Sequence, residues 1–205
     1  MSVNKSSQSE NKNALIIGGA GFIGSYVCES LLAQNINVYA VDDLSSGKEE
    51  NIKKIIKTKN FKFIHADINN GLDDQDLPTI DYIFHIGGIE SYINGHDLTI
   101  NTLLVNSLGT YKSLELLRKN NKAKYLLVSS LDIYNGVLSS LSIDKYYGAS
   151  DRDNKKYTHH EAKRYAEALL REYFHKYAID ARVVRLADVY GPRMDLDSGT
   201  EIAQM

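Results

Sequence analysis

The sequence predicts a doubly wound α/β fold that is built on one parallel sheet. Short apolar runs alternate with stretches of helical spacing along almost the whole chain. The strand candidates are continuously apolar, as expected where helices cover both faces of a parallel sheet. A glycine-rich turn follows the first strand candidate and opens a helix. This order of strand, turn and helix is typical of βαβ units.

Each element follows from its local pattern. Strands are predicted where a short apolar run ends at glycine or a polar residue, and helices where apolar residues recur at spacings of three and four. The predicted strands are residues 14–17, 38–41, 61–65, 82–86, 125–129 and 181–186. The predicted helices are residues 22–33, 49–57, 101–119 and 157–177, and the polar stretch 144–156 is predicted to be a loop. We expect the strand order 3-2-1-4-5-6 with right-handed crossovers.

Length and composition exclude several classes of protein. The 205 residues, 43% hydrophobic and 24% charged, are ordinary for one globular domain with an appendage and unlike a disordered chain. A formal net charge of -2 gives no basic excess that calls for nucleic acid as a partner. One cysteine excludes a disulfide scaffold, and no apolar run reaches the roughly 18 residues of a membrane span. We expect a cytoplasmic protein with no membrane partner and a flexible polar tail over residues 1–12.

The glycine-rich turn has the spacing of a phosphate-binding loop. Gly18, Gly21 and Gly24 form a G-x-x-G-x-x-G pattern directly after the first strand. The first glycine allows a tight turn, the second a close approach of backbone to a pyrophosphate, and the third close packing of helix on strand. The helix that begins at Phe22 and Ile23 directs its N–H groups toward the phosphates. A tight turn that binds no ligand is the alternative.

An acidic residue at the end of the second strand supports a dinucleotide site. Asp42 lies 18 residues after Gly24, where a carboxylate can bind the hydroxyl groups of the adenosine ribose and repel a 2′-phosphate. This favours NAD over NADP, while the nearby cation Lys48 keeps NADP open. The sequence therefore predicts a Rossmann-type doubly wound parallel sheet with NAD as its cofactor.

From Asn13 on, the sequence resembles the extended short-chain dehydrogenase/reductase family, which comprises NAD-dependent epimerases and dehydratases. The glycine motif and Asp42 support this resemblance, together with the segments 41–47, 67–68, 106–110, 129–134 and 190–194. The last segment, with Lys163, Arg164 and Glu167, looks most like UDP-glucuronate decarboxylases. dTDP-glucose dehydratases and UDP-glucose 4-epimerases are close alternatives.

The resemblance implies a reaction on a nucleotide sugar. Bound NAD takes hydride from the sugar C4, the 4-keto sugar reacts, and the hydride returns. The family uses a Ser/Thr that orients the sugar hydroxyl, a Tyr that acts as general base, and a Lys that lowers the pKa of this Tyr and holds the nicotinamide ribose. Matching the motifs gives Ser130 and Lys163 for two of these roles. It also gives Asp67 and Ile68 as adenine contacts and Asp132, Asp188 and Arg193 as substrate contacts.

The position of the family's tyrosine holds a histidine here. Four residues before Lys163 is His159, and this spacing places both side chains on one helix face. Tyr157 would face away from Lys163, and Tyr147 opens a Y-G-A-S segment whose next residue is Asp151 instead of lysine. Imidazole titrates near neutral pH and can act as a base, but it is shorter than a phenol. The alternative is a catalytically impaired NAD-binding module.

Other departures concern the neighbourhood of His159 and the sheet. His160 could also approach the site, whereas a metal site at His159, His160 and Glu161 is disfavoured because adjacent histidines diverge on a helix. The family's H-L-A-A is His85-Ile86-Gly87-Gly88 here, its asparagine before Y-G-P-R is Asp188, and a glutamate of the decarboxylases is replaced by Asp132.

The chain divides into three predicted regions. Residues 13–190 are predicted to be the NAD-binding domain, and residues 191–205 the start of a truncated substrate-binding region. The resemblance implies that most of the C-terminal substrate domain is missing. The two long helices, 101–119 and 157–177, resemble the family's dimer interface, so a homodimer is expected.

Overall fold

A computed structural model describes residues 11–88, 92–93, 96–97, 99–120, 122–134 and 155–195. Its strands are β1 (Asn13–Ile17), β2 (Asn37–Asp42), β3 (Phe61–His65), β4 (Tyr82–His85), β5 (Tyr92–Ile93), β6 (His96–Asp97), β7 (Lys124–Ser130) and β8 (Asp180–Leu186). Six of them form a parallel sheet in the order β3-β2-β1-β4-β7-β8, while β5 and β6 pair separately and antiparallel. Without these two short strands the order is 3-2-1-4-5-6, and the predicted fold class is confirmed.

The helices follow the predicted pattern with three differences. They are α1 (Phe22–Ala33), α2 (Glu49–Ile52), α3 (Thr99–Leu104), α4 (Thr110–Lys119) and α5 (Lys155–Tyr177), and a π-helical segment, Val105–Gly109, joins α3 to α4. The predicted helix 49–57 is wrong beyond Ile52, because its later residues form turns. The predicted long helix 101–119 is interrupted by the π-helical segment. The helix α5 begins at Lys155, inside the predicted loop, whose residues 144–154 lie outside the described residues.

Helices cover both faces of the sheet, as the continuous apolar strands predict. Side chains alternate along β1, so that Leu15 and Ile17 join a core cluster with α4 and α5, whereas Ala14 and Ile16 join another with α1. Asn35 ends the α1 region in the left-handed conformation, with φ of 59°. None of the helices in the described part of the chain has the length and apolarity that crossing a membrane requires.

The topology places a crevice at the carboxyl ends of β1 and β4. From β1 the chain continues to β2 and β3 on one side, and from β4 to β7 and β8 on the other. Ligands of doubly wound folds bind at such a switch point. Both Ile86 and Gly87 donate their backbone N–H groups to the carbonyl of Ile17, which joins the turn after β4 to the end of β1. Residues 1–10 of the predicted tail and 196–205 of the predicted C-terminal region lie outside the described residues.

Candidate active site

The glycine turn is held tightly between β2 and the turn after β4. The backbone N–H groups of Gly18 and Gly19 both donate to the carbonyl of Val41, at 2.8 and 3.1 Å. Gly18 has φ of 83°, and a Cβ there would lie 2.7 Å from the Cα of Gly87. A side chain at Gly24 would overlap the carbonyl of Gly18. These positions therefore require glycine for steric reasons, independently of any ligand.

The first turn of α1 is open at its N-terminus. Gly21 is the N-cap residue, in extended conformation, and no side chain of the described residues caps the helix. Phe22 and Ile23 follow as the first two helical residues, and both line the crevice. Uncapped N–H groups together with the positive end of the helix dipole favour an anion at this point.

Asp42 ends β2 with its carboxylate buried against the glycine turn. One oxygen accepts the backbone N–H of Ala20 at 2.9 Å, and the other accepts that of Leu44 at 3.0 Å. Burial raises the pKa of Asp42, and the two backbone hydrogen bonds oppose this shift. Since each carboxylate oxygen can accept more than one hydrogen bond, Asp42 can shape the loop and still bind a ribose hydroxyl.

Asp67 and Ile68 lie at the same edge of the sheet, after β3. The Asp67 carboxylate accepts the backbone N–H of Asn69 at 2.8 Å and so caps the short 3-10 turn Ile68–Asn70. Ile68 is buried against Gly109, where a Cβ would lie 2.9 Å from the Ile68 Cγ2 atom. Asp67 therefore has a structural role in addition to the adenine contact that the sequence predicts.

A single cavity of about 320 Å³ joins the predicted cofactor residues to the predicted reaction centre. One end is lined by the glycine turn, Asp42 and Asp67, and the other end by Ser130, His159 and Lys163. Its volume lies at the lower end of the range of small-molecule sites. The predicted cofactor residues in its wall are Gly18, Gly21, Phe22, Ile23, Gly24, Asp42, Asp67, Ile68 and Lys163.

Lys163 is a buried cation in the wall of this cavity. It lies on α5, and its ammonium donates to the backbone carbonyl of Val128 at 3.1 Å. Burial lowers the pKa of Lys163 to about 8, and the carboxylate of Glu167, one helical turn further on, acts in the opposite direction. A lysine with this pKa is partly neutral near physiological pH, which is typical of functional lysines.

His159 and Ser130 complete this end of the cavity. Ser130 is the last residue of β7, and His159 precedes Lys163 by four residues on α5, so that both line the same space. No tyrosine lines the cavity among the residues that the structure describes. Residues 135–154, with Tyr147, lie outside the described residues, as does the side chain of Tyr157.

Two of the three predicted substrate residues line the cavity. Asp188 lines the cavity after β8, while Asp132 lies in the 3-10 turn Leu131–Tyr134 and its side chain is outside the described residues. Arg193 also lines the cavity, and it reaches α1, where it donates to Ser25 at 3.0 Å and to Glu29 at 2.6 Å. Arg193 therefore fastens the segment after β8 onto α1, and its contact with substrate stays a prediction.

Several residues around Lys163 were not predicted as site residues. The backbone carbonyl of Val128 binds the ammonium, and Gly88 leaves the room for it, since a Cβ at Gly88 would clash with the Lys163 Nζ atom. The Oδ1 atom of buried Asn106, in the π-helical segment, lies 3.6 Å from the same Cβ position. A backbone acceptor has no sequence signal, but the double glycine after β4 is a signal for close approach of a neighbouring group.

The fold and the cavity define a dinucleotide-binding protein of the Rossmann class. Residues 14–205 match the NAD dependent epimerase/dehydratase family, and the chain belongs to this family. It is 32% identical to UDP-glucuronic acid decarboxylase 3 of Arabidopsis thaliana over 194 residues, which are 94% of this chain and 55% of the relative. It is 29% identical to UDP-glucuronic acid decarboxylase 1 of Xenopus tropicalis, over 96% of this chain and 46% of the relative. The chain spans about half the length of these curated relatives.

Solved structures share the fold. The UDP-glucuronic acid 4-epimerase of Bacillus cereus in complex with NAD is similar with a TM-score of 0.75 and 27% identity, over 90% of this chain and 60% of the epimerase. The dTDP-glucose 4,6-dehydratase of Bacillus anthracis in complex with NAD has a TM-score of 0.72 at 24% identity, over 89% and 56% of the two chains, and shows the fold alone.

NAD is the cofactor of this family, and the residues present fit it. The uncapped N-terminus of α1 offers N–H groups to a pyrophosphate, and the glycine turn has no side chains that would block its approach. The buried carboxylate of Asp42 at the end of β2 is suited to ribose hydroxyls.

Proposed function

We propose that this chain binds NAD in the described cavity and carries the reaction centre of an enzyme that modifies a nucleotide sugar. The UDP-glucuronate decarboxylase, NDP-sugar dehydratase and 4-epimerase types are the candidates, and the curated relatives favour the decarboxylase. The observation that carries this proposal is the continuity of one cavity from the glycine turn to Ser130, His159 and Lys163.

The residues at the reaction centre have complementary roles in this proposal. NAD, when bound, supplies the acceptor and donor of the hydride that leaves and returns to the sugar. Lys163 binds ribose hydroxyls with N–H groups that its bond to Val128 leaves available. Ser130 orients the sugar hydroxyl, and the imidazole of His159 accepts the proton of this hydroxyl, directly or through one water molecule. Asp132, Asp188 and Arg193 are proposed to contact the substrate, although Arg193 is also bound to α1.

A second candidate function is an NAD-binding module with impaired catalysis. The presence of His159 four residues before Lys163, together with the lack of a tyrosine in the described cavity lining, favours this candidate. Both candidates require the same cofactor site and differ only in whether His159 supports catalysis, so the substitution His159→Tyr separates them.

We further propose that the chain forms a homodimer through α3, α4 and α5. Apolar side chains recur at spacings of three and four along the outer side of α3, the π-helical segment and α4, and a tyrosine is exposed on α5. Exposed apolar stripes of this kind are typical of interfaces. The residues of this apolar surface are Ile100, Leu104, Leu108, Tyr111 and Tyr165. The cytoplasmic location stays a prediction from the sequence.

Titration of the purified chain with NAD⁺ by calorimetry tests the cofactor site. We expect saturable binding that weakens about tenfold or more in Asp42→Ala, because a charge-assisted hydrogen bond to ribose contributes about 1.5–3 kcal/mol. Asp76→Ala is the matched control, since it removes an exposed carboxylate outside the cavity. Far-ultraviolet circular dichroism checks that Asp42→Ala still folds, because Asp42 also accepts two backbone N–H groups. Absence of binding to the unaltered chain would contradict the proposal.

A further inference from the structure

Three buried polar side chains contact one another beneath the cavity, on the side of the sheet that α4 and α5 cover. The Nδ1 atom of His85, at the end of β4, lies 2.9 Å from the hydroxyl oxygen of Tyr125 and 3.1 Å from that of Ser113. The two hydroxyl oxygens are 2.8 Å apart. The hydroxyl of Ser113 donates to the backbone carbonyl of Thr110 at 2.8 Å. His85 is only 1% exposed, so bulk water cannot supply missing hydrogen bonds.

The count of protons in this cluster determines the tautomer of His85. Ser113 has one hydroxyl proton, and the carbonyl of Thr110 takes it, so the short contact between Ser113 and Tyr125 needs the proton of Tyr125. The contact between Tyr125 and His85 then needs a proton on Nδ1. With this tautomer three protons fill the three contacts of 2.8 to 2.9 Å, and only the longest contact, 3.1 Å between Nδ1 and the Ser113 oxygen, has no proton of its own. With the other tautomer only two protons are available, so at least one of the three shorter contacts would have no proton.

The Nδ1–H tautomer leaves the Nε2 atom of His85 with a bare lone pair. Nε2 is buried and, in the described part of the chain, forms no hydrogen bond with a protein group; the same holds for the hydroxyl of Ser129. A buried acceptor without a partner costs about 1–3 kcal/mol, so a hydrogen-bond donor is expected close by.

Lys163 is the cation whose charge acts on His85. A Cβ at Gly88, three residues after His85, would clash with the Lys163 ammonium, so the turn after β4 encloses it. Burial, and next the positive charge of Lys163, lower the pKa of His85 to about 3, so the imidazole stays neutral over the physiological range. A neutral imidazole beside an ammonium acts as an acceptor. The ammonium donates one N–H group to the backbone carbonyl of Val128 and has two further N–H groups to donate.

We propose that the Nε2 atom of His85 accepts a hydrogen bond from the Lys163 ammonium through one buried water molecule, and that His85 is thereby a positioning residue for Lys163. Buried waters satisfy polar groups of this kind, and the Ser129 hydroxyl offers a further partner. Ser113 and Tyr125 fix the imidazole, and the imidazole fixes the direction of the lysine that lines the cavity. The inference rests on the proposed function in so far as Lys163 acts on a bound cofactor.

The tautomer is tested in the unaltered chain. Nitrogen chemical shifts of ¹⁵N-labelled histidine distinguish a protonated Nδ1 from a protonated Nε2, and the His85→Gln variant identifies the signals of His85. We expect a proton on Nδ1 and a bare Nε2 that does not titrate between pH 5 and pH 8. A proton on Nε2 would overturn the proposal without any question of folding in the measured protein.

A matched pair of variants tests the effect on Lys163. His85→Asn keeps an N–H donor for Tyr125 but has no acceptor at the position of Nε2. His85→Gln, whose side chain is longer, keeps an acceptor oxygen at about the distance of Nε2 from the backbone. Competitive acetylation as a function of pH, followed by peptide mass spectrometry, gives the pKa of Lys163 in the chain without cofactor, with exposed Lys53 as internal reference. We expect the pKa of Lys163 to fall by about one pH unit in His85→Asn and to stay near its original value in His85→Gln.

An equal effect of both variants, or no effect of either, would overturn the positioning role. The measurement needs neither NAD nor substrate, so it is independent of the proposed function. Failure of the NAD⁺ titration with an intact difference between the two variants would remove the proposed function and leave the contact of His85 with Lys163 in place.

Discussion

His159 lines the cavity one helical turn before Lys163 on α5, so both side chains can contact the same bound substrate. A tyrosine hydroxyl at this position would extend further from the helix than the imidazole does. Proton transfer requires a heavy-atom separation of about 2.6–3.2 Å, so the difference in reach decides whether a base touches the sugar hydroxyl. The buried ammonium of Lys163 would lower the pKa of a nearby phenol.

We expect His159→Tyr to increase the rate of sugar-dependent NAD reduction by tenfold or more, because general bases contribute about 10²–10⁴-fold. The transient rise in absorbance of reduced nicotinamide, before the hydride returns to the sugar, is measured by rapid mixing with UDP-glucuronate at saturating NAD⁺. His160→Tyr is the matched control, since it introduces the same side chain roughly 100° further around the helix. No rise with any nucleotide sugar tested would favour the NAD-binding module over the enzyme.

Single residues also show how far the sequence could predict the site. The positions of Gly18, Gly24 and Asp42 follow from spacing alone, because a tight phosphate-binding turn after a buried strand requires these residue types at these distances along the chain. The surroundings of the Lys163 ammonium could not be predicted in this way. They consist of the carbonyl of Val128 and the space that Gly88 leaves because it has no side chain, and only the packing of α5 on the sheet brings these groups together.

At the scale of elements, the segment after β8 is fastened to the first helix. The guanidinium of Arg193 bonds to Ser25 and Glu29 and lies 4.3 Å from the ring centroid of Tyr26. The hydroxyl of Tyr26 in turn donates to the carbonyl of Pro192 at 3.1 Å. These contacts hold the segment beside the open N-terminus of α1. The sequence offered no signal for them, since the partners are more than 160 positions apart.

We expect Arg193→Ala to lower the free energy of unfolding by about 1–2 kcal/mol, since it removes a partly buried ion pair and a cation–π contact. Urea unfolding measures this change. Arg182→Ala is the control, because its ion pair with Asp180 is exposed and contributes at most about 0.5 kcal/mol. Equal decreases in the free energy of unfolding in the two variants would contradict the proposal that Arg193 holds this segment against α1.

Helix boundaries were harder to predict than strands. The helix α2 ends at Ile52, although Lys53–Lys57 continue the helical spacing. The N–H groups of Ile55 and Thr58 donate to carbonyls three residues earlier, which makes turns tighter than those of an α-helix. The π-helical segment Val105–Gly109 ends at Gly109, against which Ile68 packs closely, and this contact between distant parts of the chain has no local sequence signal. By contrast, β1 and most of β2 are short apolar runs buried on both faces, and such burial explains why their sequence is continuously apolar.

At the scale of the whole molecule, the two sides of the sheet differ in what they expose. On the side of α3, α4 and α5, Ile100 is 71% exposed and Tyr165 is 53% exposed, within the apolar surface defined above. On the other side, the exposed large apolar residues of the described helices and turns are Tyr26 on α1 and Ile56 after α2. A continuous apolar surface on one side suits a symmetric interface, in which helices of two copies pack against each other.

We expect the chain to be a homodimer and the double variant Leu104→Glu with Tyr165→Glu to be a monomer. A buried interface cannot solvate the four carboxylates that the two copies would bring together, so association becomes unfavourable. Light scattering coupled to size-exclusion chromatography measures the mass of both forms. Ile56→Glu introduces the same charge on the opposite side of the sheet and should leave the dimer intact. A monomeric unaltered chain, or a dimer that the double variant leaves unchanged, would contradict the proposed interface.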